Sequence, residues 1–156
     1  MGYEEQKIEG RNAVLEAFRS GKTIDKLFVL DGCQDGPIRT ILREAKKADT
    51  IVNFVKKERL DQMSETGKHQ GVIAYAAAYE YGTVDEMLEN AAAKGEAPFL
   101  ILLDNIEDPH NLGSIIRTAN QVGAHGVIIP KRRAVGLTAT VAKASAGAIN
   151  YTPVAK

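Results

Sequence analysis

Between Asp104 and Ala124 the chain reads DNIEDPHNLGSIIRTANQVGA, which brings an Asp-Pro pair (Asp108, Pro109), Asn111, Gly113 and Arg117 close together. A carboxamide and a guanidinium together can orient a hydroxyl or hold an anion, and the guanidinium can stabilise negative charge as it develops. The stretch follows a strand-like run, FLILLD, and carries helical periodicity in Leu112, Ile115, Ile116 and Ala119. Either Asp108 with Pro109 in the first turn, or Asn111, suits the helix cap. A helix from Asn111 to Val122 places Arg117 roughly 9 Å from its mouth at 1.5 Å per residue, and helical side chains lean back toward that mouth. Gly113, one turn earlier, then leaves room for the guanidinium or for a substrate backbone, and Asn111, Arg117 and the first N–H groups converge on one ligand. On spacing alone, a solvated arginine and a glycine that permits close packing are the commoner outcome. The turn is not a dinucleotide fingerprint, because no G-x-G-x-x-G follows the strand.

The elements that must position these residues alternate helix and strand. Residues 1–76 read as a small α/β domain: a helix in GRNAVLEAFRSG, a strand in IDKLFVLD, a helix in PIRTILREAKKAD, a strand in TIVNFV, a helix in KKERLDQMSE and a strand in GVIAYAAA. Residues 77–97 carry an acidic helical pattern with a Gly/Pro exit and read as a linker. Residues 98–156 open with the apolar run FLILLD, expected of a strand buried on both faces of a parallel sheet. The helix with Arg117 and the strand GVIIP complete a βαβ unit, followed by a helix in LTATVAKASAGA. A two-stranded parallel sheet is an incomplete domain, so the sequence is expected to be a fragment of a larger one.

Twenty basic and twenty acidic residues leave no formal net charge, which argues against a polyanion binder that works by total charge. The charges are unevenly placed. Residues 98–156 hold six Lys and Arg against three acidic residues, and none of the latter follows Asp108. A lone cysteine, Cys33, and three scattered histidines predict no internal disulfide and no metal site. No apolar run suits a membrane span, and MGYEEQKIEG lacks the apolar core of a signal peptide, so a cytoplasmic protein without membrane attachment is expected.

The stretch LDNIEDPHNLGSIIRTANQVGAHGVII resembles the first signature motif of the SpoU, or TrmH-type, branch of the SPOUT RNA methyltransferases. KIEGRNAVLEAFRSGKTIDKLFVLDG and KHQGVIAYAAAYEY are similar to the substrate-binding domain of bacterial ribosomal RNA ribose methyltransferases in that branch. The resemblance implies an α/β architecture: a small RNA-binding domain followed by the first part of a parallel-sheet, trefoil-knotted SPOUT domain. It also implies methyl transfer from S-adenosylmethionine to a ribose 2′-hydroxyl, with guanosine of 23S ribosomal RNA the nearest match, by a homodimer. Arg117 matches the motif arginine that acts at the hydroxyl, and Asn111 the asparagine that supports it. The family's later motifs, with a Gly-x-Glu core and Ser-Leu-Asn, supply most of the cofactor pocket and are expected beyond Lys156.

Lys131, Arg132 and Arg133 follow the second strand of the βαβ unit, on the edge that carries the Asp108–Asn111 corner, and suit phosphate contacts as well as they suit a solvated turn. Arg11 and the KHQG turn with His69 match positions typical of the family's first domain, which implies RNA contacts there; helix capping and turn geometry are the alternative reading. The stripe Arg39, Arg43, Lys46 and Lys47 reads as a solvated helix face. A stand-alone RNA-binding module, or an inactive paralogue, is the alternative to an enzyme.

Overall fold

The computed structural model describes residues 6–156; Met1–Glu5, part of the stretch read as lacking a signal peptide, lie outside the described residues. The chain forms two compact units that divide between Ala77 and Ala78.

The first unit is a four-stranded sheet in the order β1-β4-β2-β3, made of β1 (Gln6–Glu9), β2 (Ile24–Leu30), β3 (Val52–Val55) and β4 (Val72–Ala76). β2 and β3 are parallel, and β4 runs antiparallel to both β1 and β2. The connecting helices are α1 (Arg11–Arg19), α2 (Gly36–Lys47) and α3 (Lys57–Met63). Val14 and Ala17 of α1 and Ile38, Ile41 and Ala45 of α2 pack with Leu27, Val29, Val72 and Ala74 of the sheet into one core. β1 is an element that sequence periodicity did not reveal, since QKIE is too short and too polar to alternate visibly.

Glu9, the last residue of β1, ties the sheet to the loop after α3. Its carboxylate accepts from the Ser64 and Thr66 hydroxyls, both at 2.6 Å, and from the backbone N–H of Glu65 at 2.7 Å. Burial alone would raise its pKa, but these hydrogen bonds to the charged form outweigh it and hold the carboxyl at about 2.

The second unit holds a parallel sheet in the order β5-β6-β7, from β5 (Leu100–Leu102), β6 (Gly126–Ile128) and β7 (Val154–Ala155). β7 corrects the expectation of a two-stranded sheet; with two paired residues it carries no readable pattern. β5 also departs from expectation. It is an edge strand with Leu102 71% exposed, whereas Val127 and Ile129 are the buried ones.

Of the stretch 77–97, read as a linker, residues 78–97 belong to the second unit. Its helix α4 (Val84–Ala93) begins with a reciprocal cap, in which the Thr83 hydroxyl accepts from the Glu86 N–H and the Glu86 carboxylate accepts from the Thr83 N–H. Met87 and Ala91 are fully buried. A Cβ on Gly126 would lie 2.2 Å from the Met87 sulfur, so the helix docks where β6 has no side chain. An acidic exterior concealed an apolar stripe two residues wide.

Candidate functional site

Helix α5 (Pro109–Gln121) begins at Asp108, whose carboxylate accepts the Asn111 N–H at 2.9 Å. Of the two caps the sequence allowed, Asp108 is the one used, and Asn111 sits at the third helical position with its backbone donor committed. Leu112, Ile116 and Ala119 bury one face of α5 against Val127, Ile129, Leu137 and Val141. Helix α6 (Ala139–Ala144), capped by the Thr138 hydroxyl, crosses the same side.

Gly113 is explained by that crossing. A Cβ there would fall 2.4 Å from the Ala144 Cβ and 2.8 Å from the Val141 carbonyl oxygen. The space above Gly113 is filled by α6, so the expectation of room for a guanidinium or a substrate backbone is not met. The glycine allows two helices to touch.

Arg117, one turn further on, lies where α6 has ended. It is exposed and lines a groove of about 410 Å³ with Asn120, Gln121, Ser145, Ala146, Gly147, Ala148, Asn150 and Tyr151. Among the described residues nothing pairs with its guanidinium. Asn111 does not line this groove. Six residues at 100° per residue set it about 120° away from Arg117 around the helix.

The far wall of the groove is the turn after α6. Ala146 and Gly147 both have positive φ, 51° and 88°, which reverses the chain into the single 3-10 turn Ala148–Asn150. The Ser145 hydroxyl is used inside this turn, donating to the Ala142 carbonyl at 2.7 Å and accepting the Ile149 N–H at 3.3 Å. Asn120, Gln121, Asn150 and Tyr151 were not singled out from sequence. The readable signal was Asn120 and Gln121 at three and four residues beyond Arg117, on its helix face.

Lys131, Arg132 and Arg133 are all exposed in the loop after β6. That loop meets the one after β5 through a parallel bridge between Ile106 and Ala134, with the Val135 N–H donating to the Ile106 carbonyl at 2.7 Å. The three cations therefore do share an edge with the Asp108–Asn111 corner.

In the first unit, Arg11 and His69 are structural connectors. The Arg11 backbone N–H donates to the Gln70 side chain and its Nε to the Gln70 carbonyl, both at 3.0 Å, while the guanidinium also pairs with Asp35. The Ile38 N–H, and after it Cys33 and Arg11, hold the Asp35 carboxyl below its ordinary range. His69 is 7% exposed and both ring nitrogens are engaged: Nδ1 accepts the Gly71 N–H at 3.0 Å, and Nε2 lies 2.8 Å from Asp61. An acceptor at Nδ1 requires the proton on Nε2, which then donates to the carboxylate. The ring closes a turn, and both of its nitrogens are engaged within the protein.

Two family models match this chain. The one described as RNA 2′-O ribose methyltransferase substrate binding covers residues 7–82, and the SpoU rRNA methylase family covers residues 98–156. The chain belongs to the SpoU family. It is 49% identical over 156 residues to a Bacillus subtilis protein named "Putative TrmH family tRNA/rRNA methyltransferase YacO", matching 100% of this chain and 62% of that protein. A Staphylococcus saprophyticus relative of the same family name is 50% identical over 151 residues, covering 97% of this chain and 60% of its own length. The SpoU chain thus spans about three fifths of the curated relatives it matches. A crystal structure of an rRNA methyltransferase from Sinorhizobium meliloti is similar at 22% identity and a TM-score of 0.41, over 98% of this chain and 54% of that one. The family assignment rests on the sequence matches.

Proposed function

We propose that this SpoU chain is the substrate-binding and hydroxyl-orienting part of an RNA 2′-O-methyltransferase. It works in the cytoplasm, as a homodimer, on a ribose of ribosomal RNA, with 23S guanosine the first substrate to test. The observation that carries the reading is Arg117: a guanidinium with no partner among the described residues, facing a groove, within the stretch matched by the SpoU methylase model.

A guanidinium keeps its proton above about pH 12, so Arg117 is not the base. It donates to the ribose 2′-oxygen, fixes its direction and stabilises the negative charge that grows as the hydroxyl loses its proton to another acceptor. Asn111 supports the ribose from the adjacent helix flank, and Lys131, Arg132 and Arg133 hold phosphates. Arg11 positions the turn at Gln70 in the first unit.

S-adenosylmethionine is the methyl donor of this reading, and its sulfonium supplies a methyl group to an oxygen nucleophile. The groove at Arg117 does not fit it. The lining contains a guanidinium and no carboxylate, which is the wrong polarity for a sulfonium cation. None of the residues that line this groove is therefore assigned to the donor.

The test is methyl transfer by the full-length protein to unmodified ribosomal RNA. Arg117→Ala is expected to lower kcat by about 10²- to 10³-fold, the usual loss for removing one charge-stabilising donor, with unchanged thermal unfolding. Undiminished turnover in the variant would remove Arg117 from the mechanism. The binding-module alternative predicts that no methyl group reaches RNA even with the unaltered protein.

A further inference from the structure

We infer that the groove beside Arg117 is a pocket for one unstacked RNA base, with Tyr151 as the stacking surface and the amides of Asn120, Gln121 and Asn150 as readers of the base edge. This rests on the proposed function and extends it from the ribose to the base that the ribose carries.

Three observations lead there. The volume, about 410 Å³, lies within the roughly 300–1,000 Å³ typical of small-ligand pockets. Tyr151 is 79% exposed at its rim, the most exposed large hydrophobic side chain among the described residues. A ring exposed at a groove is available for stacking, and base–aromatic stacking is how proteins hold single-stranded RNA. The remaining polar lining is neutral. The side-chain amides of Asn120 and Gln121 have no hydrogen bond among the described residues, and the Asn150 side chain spends only its nitrogen, on the Gly147 carbonyl at 3.3 Å, which leaves its oxygen available.

Carboxamides present donors and acceptors side by side, as the edge of a nucleobase does. A groove built to bind phosphate would show several cations, and this one has a single guanidinium. A groove built for an apolar ligand would not be lined by three amides. With Arg117 on the 2′-hydroxyl, the base attached to the same sugar falls within reach of the other walls. The chain's own geometry fixes those walls, because Asn120 and Gln121 share the Arg117 face of α5 and Asn150 and Tyr151 follow the positive-φ turn at Ala146 and Gly147.

The experiment is a titration of the chain with each of the four ribonucleoside 5′-monophosphates, following the Tyr151 ring and the side-chain amide resonances by NMR. We expect shifts concentrated at Tyr151, Asn120, Gln121 and Asn150, with one nucleotide favoured over the others and its 2′-deoxy form bound more weakly. Tyr151→Ala should weaken binding by about 5- to 150-fold, the range that stacking of one base spans, and Tyr151→Phe should rescue it. Because Tyr151 is exposed, neither substitution should alter thermal unfolding. Shifts confined to Lys131–Arg133, equal affinity for all four nucleotides, no binding at about 10 mM, or full affinity in Tyr151→Ala would each overturn the pocket. A parallel methylation assay on the full-length protein separates the two readings. If Arg117→Ala abolishes transfer while Tyr151→Ala leaves both KM and base preference unchanged, the base pocket falls and the methyltransferase stands. If the unaltered protein methylates no RNA while the titration succeeds, the reverse holds.

Discussion

Arg117 and His69 are both candidate site residues drawn from the same sequence, and the structure gives them opposite situations. Arg117 is exposed, lines a groove and has no partner among the described residues. His69 is buried, with a backbone N–H on one nitrogen and a carboxylate on the other. The difference is invisible in composition, since spacing shows where a side chain sits on an element and not what the rest of the fold places against it. It does have a measurable consequence. His69→Ala leaves the Gly71 N–H without its acceptor in a buried turn, which costs about 1–3 kcal/mol. Chemical denaturation should show that loss, while the RNA affinity of the folded variant stays near that of the unaltered protein. A variant with undiminished stability but weakened RNA binding would return His69 to the list of contact residues. Asn111 is an intermediate case: its residue type and position matched the motif, but the helical angle between positions 111 and 117 keeps the two side chains on different flanks.

At the scale of elements, the Glu9 clasp makes a prediction whose sign can be worked out. The folded carboxyl has its pKa lowered from 4.5 to about 2, so the folded state binds that proton less readily than the unfolded chain does. The clasp therefore contributes its full stability above about pH 4.5, and that contribution disappears as pH falls from there toward 2. The shift corresponds to about 3 kcal/mol before allowance for partial solvent screening, and about 1–2 kcal/mol after it. Thermal unfolding should show Tm declining through this window, and Glu9→Gln should lower Tm at pH 7 and flatten the decline; an equally steep decline in the variant would refute the assignment. The clasp also illustrates which parts of the fold the sequence made legible. Helices α1, α2 and α5 were readable because each carries an apolar stripe of three or more residues at helical spacing, flanked by a cap or a stop. β1, β7 and the docking of α4 were not. Two to four paired residues carry no period, and α4 buries only Met87 and Ala91, against a glycine whose significance depends on a neighbour 39 residues away in sequence. The capping pair Thr83 and Glu86 was the one local sign that a helix begins there. Gly113 was noticed for its missing side chain, but what occupies the space is α6, a contact that only tertiary structure defines.

For the molecule as a whole, a formal net charge of zero means that the affinity for RNA in the proposed function has to come from the placement of charge. The clearest local excess lies after Asp108, where no acidic side chain remains, and three of its cations, Lys131, Arg132 and Arg133, are exposed in one loop. The bridge from Ile106 to Ala134 anchors that loop against the corner that opens α5, so the cations are held by the parallel sheet and not by a free turn. Arg133 takes a φ of 56°, a conformation that a non-glycine residue seldom adopts in an unconstrained loop. A fixed cluster of this kind should behave as phosphate contacts do. Each contact to single-stranded RNA contributes about 0.7 to the slope of log affinity against log salt, through counterion release. Replacing Lys131, Arg132 and Arg133 together with glutamine should therefore reduce that slope by up to about 2 in the full-length protein, weakening binding to all RNA sequences alike. Base preference should not change, because these residues are not among those lining the groove at Arg117. Measuring affinity for an unmodified ribosomal RNA fragment across a salt series distinguishes the possibilities. A reduced slope with preserved preference assigns phosphates to this loop, whereas an unchanged slope would make it a solvated turn and move the electrostatic footprint elsewhere, with the exposed stripe Arg39, Arg43, Lys46 and Lys47 on α2 the next cluster to neutralise.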